Sequence, residues 1–217
     1  FLLAINIAGR GGLEQTSVWI LGMVSVLMLV VLVRVELRAP WPVVDMRQFR
    51  NRVFASAQGS QVSHYMAHGI LFFLAAFYLV DGLGLGPIKA GLIMTVFPLT
   101  RVIGGPVSGS LSDKVGTRLP VSLGLMVMGL GLLFMSTLSY QDPMWMVIAA
   151  FALTGVGSSV FEPPNASAIM GSVGPERLSA AGASIATSRQ ISTSAGFTLG
   201  AAIFSLREQF HLPALGS

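Results

Sequence analysis

Six long apolar runs, separated by short polar or glycine- and proline-rich breaks, constrain the fold of this chain more than any other feature. A helix that crosses a bilayer needs about 20 consecutive apolar residues. The runs of about that length are 18–37, 55–80, 90–111, 119–138, 143–170 and 183–206. A transmembrane β-strand has about ten residues in strict alternation, a pattern that these runs lack. The sequence therefore predicts an all-α membrane protein with about six transmembrane helices.

The composition excludes an ordinary soluble domain. Charged residues make up 10% of the 217 residues and hydrophobic residues 53%, whereas soluble domains carry about 25% charged residues. Cysteine is absent, which excludes disulfide frameworks and thiolate metal sites. The apolar run 1–7 is too short to cross a bilayer and is interpreted as the tail of a severed span. The chain is accordingly expected to be an internal piece of a longer membrane protein.

The basic residues lie mainly in alternate breaks between the apolar runs. Lysine and arginine are retained on the cytoplasmic side during membrane insertion. Eight basic residues lie in or beside three alternate breaks, 38–52, 112–118 and 171–182, and three lie on the opposite side. These three breaks are therefore predicted to be cytoplasmic. The net charge of +4 is then a sign of topology, and nucleic-acid binding is not expected.

Two pairs of glycines have the spacing that allows helices to pack closely in a membrane. They are Gly105 with Gly109, and Gly196 with Gly200. Small residues four positions apart let two backbones approach each other where lipid provides no hydrophobic drive. The sequence predicts tight helix contacts at both pairs, although such pairs also arise by chance in glycine-rich helices.

A short charged segment between the third and fourth runs has the most specific pattern in the chain. Its residues are Gly109, Leu111, Ser112, Asp113, Lys114, Gly116 and Arg118. Gly116 is expected to supply permissive dihedral angles for a tight turn, and Asp113 to cap the next helix or to pair with Lys114 or Arg118. The pattern resembles the signature loop of the major facilitator superfamily. The resemblance implies a cytoplasmic loop that acts as a conformational latch, formed by Gly109, Asp113, Lys114, Gly116 and Arg118.

Two further segments refine this resemblance. Residues 42–52, and residues 155–196 with Pro163, Pro164 and Arg189, are similar to the carboxy-terminal part of fourteen-span drug–proton antiporters. The resemblance implies that residues 1–53 hold the tail of one span, a central transmembrane helix and a cytoplasmic linker. Residues 54–217 would then form five helices of the carboxy-terminal six-helix half, without the amino-terminal half and the last helix. A twelve-span parent also fits the topology.

Glu162 is the strongest candidate for a functional group within a span. Ionisable groups at lipid depth are costly and usually line a pathway. Pro163 and Pro164 lack the amides that bond to preceding carbonyls, so a break or kink is expected beside Glu162. Gly155, Ser158, Glu162 and Asn165 share one helical face. Glu162 is predicted to couple transport to protons; the alternative is a carboxyl group held permanently by its neighbours. Asp81, at the outer end of its span, is predicted to receive the proton, and the alternative is a solvated helix end.

The other polar residues within spans are predicted to line a substrate cavity. They are His64, His68, Arg101, Asn165 and Gln190. Arg101 is expected to pair with Glu162 or to favour an anionic substrate. His64 and His68 lie four residues apart, but no further histidine or cysteine cluster completes a metal site, so hydrogen bonding between helices is the simpler alternative. Thr187, Gln190, Ser194 and Thr198 form a polar stripe that lines a pathway or joins helices.

These observations predict a secondary active transporter without catalytic residues, metal or cofactor. No phosphate-binding loop of the ATPase type is present, and a membrane fold with a midplane polar site suits alternating access. The resemblance implies proton-coupled efflux of small amphipathic compounds or drugs across the cytoplasmic (inner) membrane. The expected partners are a small-molecule substrate, protons, the lipid bilayer and the rest of the parent chain. The alternatives are a carrier of an anionic metabolite and a membrane sensor or assembly module that keeps the fold without transport.

Overall fold

The computed structural model describes residues 46–211, together with seven isolated helical positions between 23 and 34. The predicted tail 1–7 and most of the predicted span 18–37 lie outside the described residues. Every other predicted span lies within them and is helical. The described part of the chain contains no β-strand, so the predicted all-α fold is confirmed.

Six α-helices follow one another in the described chain. They are α1 (Arg52–Phe77, continued by a π-helical turn at Tyr78–Gly82), α2 (Pro87–Met94), α3 (Val96–Val115), α4 (Arg118–Ser136), α5 (Met144–Gly171) and α6 (Leu178–His211). Short 3-10 turns, Met46–Arg50 and Pro175–Arg177, precede α1 and α6. The predicted span 90–111 is thus two helices, α2 and α3, that meet at Thr95.

The ends of the helices follow from local sequence signals. The Asn51 side chain accepts a hydrogen bond of 2.9 Å from the Val53 amide and so caps α1, because a side-chain oxygen here satisfies an amide that has no partner within the helix. Pro87 occupies the first turn of α2, where its missing N–H costs nothing. Gly116 ends α3 with a φ of 80°, as its predicted role in the turn requires.

Four stretches are long and apolar enough to cross a membrane: Arg52–Gly82, Pro87–Val115, Arg118–Ser136 and Met144–Gly171. Helix α6 contains the predicted span 183–206 but is not one of the four. Its serines, threonines and arginine lower its mean hydropathy, and several of these polar residues are buried against α1. The chain is therefore a multi-pass membrane protein in which α6 is helical as predicted but more polar than expected.

The outward sides of the bundle are apolar. Leu123, Met126, Leu130 and Leu133 of α4 are exposed, and so are Leu99, Val102 and Val107 of α3. A soluble protein rarely exposes so continuous an apolar surface. In a membrane such side chains can contact lipid or other helices, so the exposure agrees with the predicted environment.

Helix packing depends on glycine at one of the two predicted pairs. A Cβ on Gly69 of α1 would lie 3.0 Å from the Cα of Gly196, and one on Gly200 would lie 3.1 Å from the Phe73 ring. The predicted close packing at Gly196 and Gly200 is thus confirmed. Among the described residues a Cβ on Gly105 or Gly109 would have no neighbour within 4 Å, so close packing at this pair stays a prediction.

Other glycines make the closest contacts of α5. A Cβ on Gly157 would meet the Met128 backbone of α4, and one on Gly124 of α4 would meet the backbone of α5. Gly104 of α3, one residue before the predicted pair, faces the Ser159 side chain. Helix α5 therefore packs closely against both α3 and α4, and it occupies the centre of the bundle.

Helix α5 continues through Pro163 and Pro164 as a single element, so the helix is not broken there, and the alternative, a kink, stays a prediction. Pro163 leaves the carbonyl of Ser159 without its usual helical donor. The Ser108 hydroxyl of α3 donates a hydrogen bond of 2.7 Å to that carbonyl. A neighbouring helix thus provides the donor that the proline lacks, as membrane helices often do.

Candidate functional site

The Glu162 carboxylate is contacted by side chains from two other helices. Tyr65 of α1 donates a hydrogen bond of 2.6 Å to its Oε1 atom, and Arg101 of α3 forms an ion pair with its Oε2 atom. His64 Nε2 lies 3.5 Å from Oε1. The predicted pairing of Arg101 with Glu162 is present in the structure. We call Glu162, Arg101, Tyr65 and His64 the charged cluster.

All members of the charged cluster lie at a similar depth in the bundle. Since an α-helix rises 1.5 Å per residue, His64 lies about 18 Å from the start of α1 and Arg101 about 21 Å from the end of α3. Glu162 lies about 13 Å from the end of α5 on the same side. A hydrocarbon core is about 30 Å thick, so the cluster lies near its middle.

The cluster is enclosed but not sealed. The Glu162 side chain is 20% exposed and that of Arg101 27%. A guanidinium at lipid depth that retains this exposure needs water or polar partners. The open side of the cluster is therefore expected to face a polar interior passage.

The two histidines have different surroundings. His64 is buried; its Nε2 lies 3.2 Å from the Ser158 hydroxyl, and its ring stacks on Phe161. His68 stacks on Phe97 and makes no hydrogen bond to Glu162 among the described residues. The described chain contains no group of three potential metal-ligating side chains of the histidine, aspartate or glutamate type. His64 thus belongs to the charged cluster, and His68 to an aromatic cluster beside it.

Asn165 belongs to a buried network of amides and hydroxyls. The network lies beside the charged cluster, towards the start of α1 and the end of α5. The Nδ2 atom of Asn165 donates to the Ala57 carbonyl at 3.2 Å and to Gln61 Oε1 at 3.4 Å. Gln61 in turn donates to Ser188 of α6 at 2.7 Å, and Gln58 donates to Ser184. This network joins α1, α5 and α6, so Asn165 connects helices in this structure.

The sequence interpretation missed several of these residues. Tyr65, Gln58, Ser184 and Ser188 were not predicted as site residues. One signal was available: Gln58, Gln61 and Tyr65 follow the three- and four-residue spacing of one helical face. The serines of α6 gave a weaker signal, because small polar residues occur on all sides of that helix.

Gln190 is exposed and belongs to none of these contacts among the described residues. The side of α6 that packs on α1 carries Ser184, Ser188, Ser192 and Gly196, which is a different face from the predicted stripe. Arg189, next to Gln190, extends over the Tyr65 ring, with its Cζ atom 6.0 Å from the ring centroid. A role for Gln190 in a cavity stays a prediction.

Asp81 is not near the charged cluster. It is exposed within the π-helical turn that ends α1. At 1.5 Å per residue it lies about 25 Å from His64 along the helix. The structure does not bring the two predicted proton-coupling carboxylates together, and a role for Asp81 stays a prediction.

The predicted latch segment is mostly helical. Helix α3 extends to Val115, so Asp113 and Lys114 lie on its last turn, and Arg118 starts α4. Asp113, Lys114 and Arg118 are exposed, and within the described chain Asp113 forms no ion pair. The predicted capping of the next helix by Asp113 is wrong, because no side chain caps α4. The role of this segment as a latch stays a prediction.

An apolar groove lies between α3 and α5. Some of its lining residues are close in sequence to Arg101 and Glu162. Its volume is about 310 Å³, which is at the lower end for small-molecule sites. Thr100, the neighbour of Arg101, lines it together with Ile103, Val107, Val156 and Val160. The groove thus provides an apolar surface close to charged groups.

A multi-pass helical bundle with a carboxylate–guanidinium pair at mid-depth defines the class of a polytopic membrane protein with a polar interior. The family model of the Major Facilitator Superfamily matches residues 59–214. The chain therefore belongs to the Major Facilitator Superfamily, whose members are transporters, and the resemblance inferred from its signature segment is confirmed.

Relatives whose names state a function agree with this membership. The chain is 32% identical to the riboflavin transporter RibZ of Clostridioides difficile over 94% of its own length and 42% of the relative. It is 27% identical to the methyl viologen resistance protein SmvA of Salmonella typhimurium over 88% of its length and 38% of the relative. It is 25% identical to the multidrug transporter MdtP of Bacillus subtilis over 95% and 38%. The chain thus spans about two fifths of the length of these relatives.

Proposed function

We propose that this chain is part of a secondary active transporter that exports small amphipathic compounds in exchange for protons. It would act by alternating access in the cytoplasmic membrane. One observation carries the proposal: at mid-depth, Glu162 holds together α1 and α3 through Tyr65 and Arg101. A carboxyl group in such a place is positioned to change both its charge and the contacts of three helices.

Protonation of Glu162 provides the coupling step in this proposal. A neutral carboxyl group no longer attracts Arg101 as a carboxylate does, and the ion pair between α3 and α5 weakens. Release of the proton restores it. Two arrangements of the helices, one with the pair formed and one without it, would then differ in their affinity for protons. A ligand shifts an equilibrium only through such differential binding.

The amphipathic character of the substrate is inferred from the surroundings of the cluster. The groove between α3 and α5 is lined mainly by apolar side chains, and charged groups lie beside it. Riboflavin and methyl viologen, which appear in the names of relatives, are both small ring compounds, but they differ in charge. The relatives therefore support a small cyclic substrate without fixing its charge.

The anionic alternative that rests on Arg101 alone is less well supported. Arg101 already has Glu162 as its counter-charge. An anion bound to Arg101 would have to displace that carboxylate or meet it at close range, where like charges repel. Arg101 by itself therefore does not favour an anionic substrate.

The test is the substitution Glu162→Gln in the intact carrier that contains this chain. Purified carrier in liposomes with a pH gradient should lose gradient-driven flux by about a hundredfold or more, since the amide keeps the shape but cannot load a proton. Glu176→Gln, at an exposed glutamate in the turn before α6, serves as the matched control and should transport normally. Normal pH-driven flux in Glu162→Gln would remove Glu162 from the coupling step.

The same preparation distinguishes a transporter from a module that only keeps the fold. Saturable, gradient-driven uptake by the wild-type carrier supports transport. No saturable flux with any of the relatives' compounds, in a carrier shown to be folded and inserted, would favour the non-transporting alternative.

A further inference from the structure

A second guanidinium lies beside the charged cluster. Arg189 of α6 is exposed, and its Cζ atom lies 6.0 Å from the ring centroid of Tyr65. Tyr65 in turn donates to Glu162. At 1.5 Å per residue Arg189 lies about 16 Å from the start of α6, a depth that matches the members of the charged cluster. Arg189 and Arg101 therefore lie at a similar level of the bundle, where Arg101 contacts Glu162 and Arg189 contacts the ring of Tyr65.

The two arginines differ in their counter-charges. Arg101 is paired with Glu162, whereas Arg189 forms no ion pair with any residue that the structure describes. Four other carboxylates have side chains that the structure describes, and they lie at helix ends or in turns: Asp81, Asp113, Asp142 and Glu176. The mid-depth site thus contains two permanent positive charges and one carboxylate, with the imidazoles of His64 and His68 beside them.

An unpaired guanidinium at lipid depth has a high desolvation cost unless an anion, water or polar groups surround it. Its planar donors suit carboxylate and sulfonate groups in a bidentate geometry. The Tyr65 ring is itself buried beneath this guanidinium, and the groove between α3 and α5 is an apolar surface on the same bundle. This combination suits a ring compound that carries a negative charge.

We infer that the open side of the charged cluster binds an anionic amphipathic substrate, with Arg189 as its counter-charge. This assignment rests on the proposed transport function and adds the charge of its substrate. Arg101 and Glu162 neutralise each other in the resting site, and Arg189 supplies the excess charge. A cationic compound would be repelled by this excess positive charge, because no free carboxylate of the site balances it.

Two dyes with the same three-ring xanthene plane test the assignment: fluorescein, an anion, and rhodamine 123, a cation. The intact carrier in detergent is titrated with each dye, and binding is followed by fluorescence polarisation. Fluorescein should bind at least about tenfold more tightly, as one charge-assisted contact allows. Equal binding, tighter binding of rhodamine 123, or no binding of either dye would overturn the assignment.

Substitution of the arginine shows whether Arg189 is the source of that preference. Arg189→Gln should weaken fluorescein binding about tenfold and raise its KM for transport with little change in kcat, and Arg189→Lys should retain part of the affinity. Arg52→Gln, at an exposed arginine that begins α1, is the matched control. Unchanged fluorescein affinity in folded Arg189→Gln would contradict the role of Arg189; should that variant not fold, Arg189→Lys and the wild-type dye comparison decide.

The two proposals fail in different ways. Preferential fluorescein binding without gradient-driven flux would contradict the proposed transport function and leave the anion site intact. Gradient-driven flux of rhodamine 123 in preference to fluorescein would support transport and overturn the anion site.

Discussion

Charged side chains gather at two levels of the bundle, and their surroundings differ. In the charged cluster at mid-depth, Glu162 and Arg101 contact each other and are largely enclosed. At the turn between α3 and α4, Asp113, Lys114 and Arg118 are all exposed. Within the described chain, Asp113 has no ion-pair partner. The two charges of the first group are paired with each other inside this chain, whereas the second group is open to water or to another element.

This difference separates charges that contribute to the stability of the fold from charges that contribute to function alone. Removal of one member of an enclosed pair leaves the other charge without a partner, so stability suffers first. Removal of an exposed charge has little effect on stability, so any functional effect must come through a contact formed in another conformation. The predictions below use matched substitutions to test this division.

Arg101→Gln should have the largest effect on stability. It leaves the Glu162 carboxylate without its ion-pair partner and should lower the free energy of unfolding of the intact carrier by about 3 kcal/mol. This value is at the low end of the loss in unfolding free energy that is usual for breaking a buried ion pair, because both side chains retain some exposure. Thermal unfolding in detergent, compared with wild type, measures the loss. Arg118→Gln, at the exposed start of α4, should change it by less than about 0.5 kcal/mol.

The double variant Arg101→Gln with Glu162→Gln sharpens the comparison. When both charges are removed, most of the lost stability should return, because no unpaired charge remains. A double variant as unstable as the sum of the two single variants would show that Arg101 and Glu162 are not energetically coupled.

Gly116→Ala should have an intermediate effect. The φ of 80° and ψ of 171° at Gly116 are nearly restricted to glycine, so alanine should cost about 1–3 kcal/mol. Gly109→Ala is the control within the same segment: its Cβ meets nothing within 4 Å, and alanine is favoured in a helix by about 0.5–1 kcal/mol. Equal destabilisation by the two substitutions would rule out the backbone explanation.

The sequence predicted the positions of the helices well because the length of an apolar run decides whether it can cross a bilayer. It predicted poorly which side of each helix is buried against its neighbours. Membrane helices are apolar on all sides, so the periodicity that marks the buried face of a soluble helix is weak. His64 and Tyr65 are adjacent and therefore point in different directions, yet both reach Glu162. That convergence depends on the rotation of α1, which its contact at Gly69 and Gly196 determines.

The contacts of α5 show the same limit. Pro163 and Pro164 predicted a break or a kink, but the helix is not broken, and the Ser108 hydroxyl satisfies the Ser159 carbonyl. The donor lies on another helix, 51 residues earlier in the chain. The pairing of Arg101 with Glu162 was predictable because each needed a partner at the same depth, and few charged groups were available there.

Asp113→Asn should have the smallest effect on stability and a measurable effect on transport. The substitution keeps the shape of an exposed side chain, so the free energy of unfolding should change by less than about 0.5 kcal/mol. If Asp113 contacts a helix end in one conformation of the carrier, loss of its charge removes about 0.3–1 kcal/mol, and turnover in liposomes should slow about two- to fivefold. Asp142→Asn, at a carboxylate that accepts a hydrogen bond from the Ser139 amide in the α4–α5 turn, controls for loss of a charge at the opposite end of α4. Turnover that is equal in both variants and wild type would leave the segment from Gly109 to Arg118 with a role in topology alone.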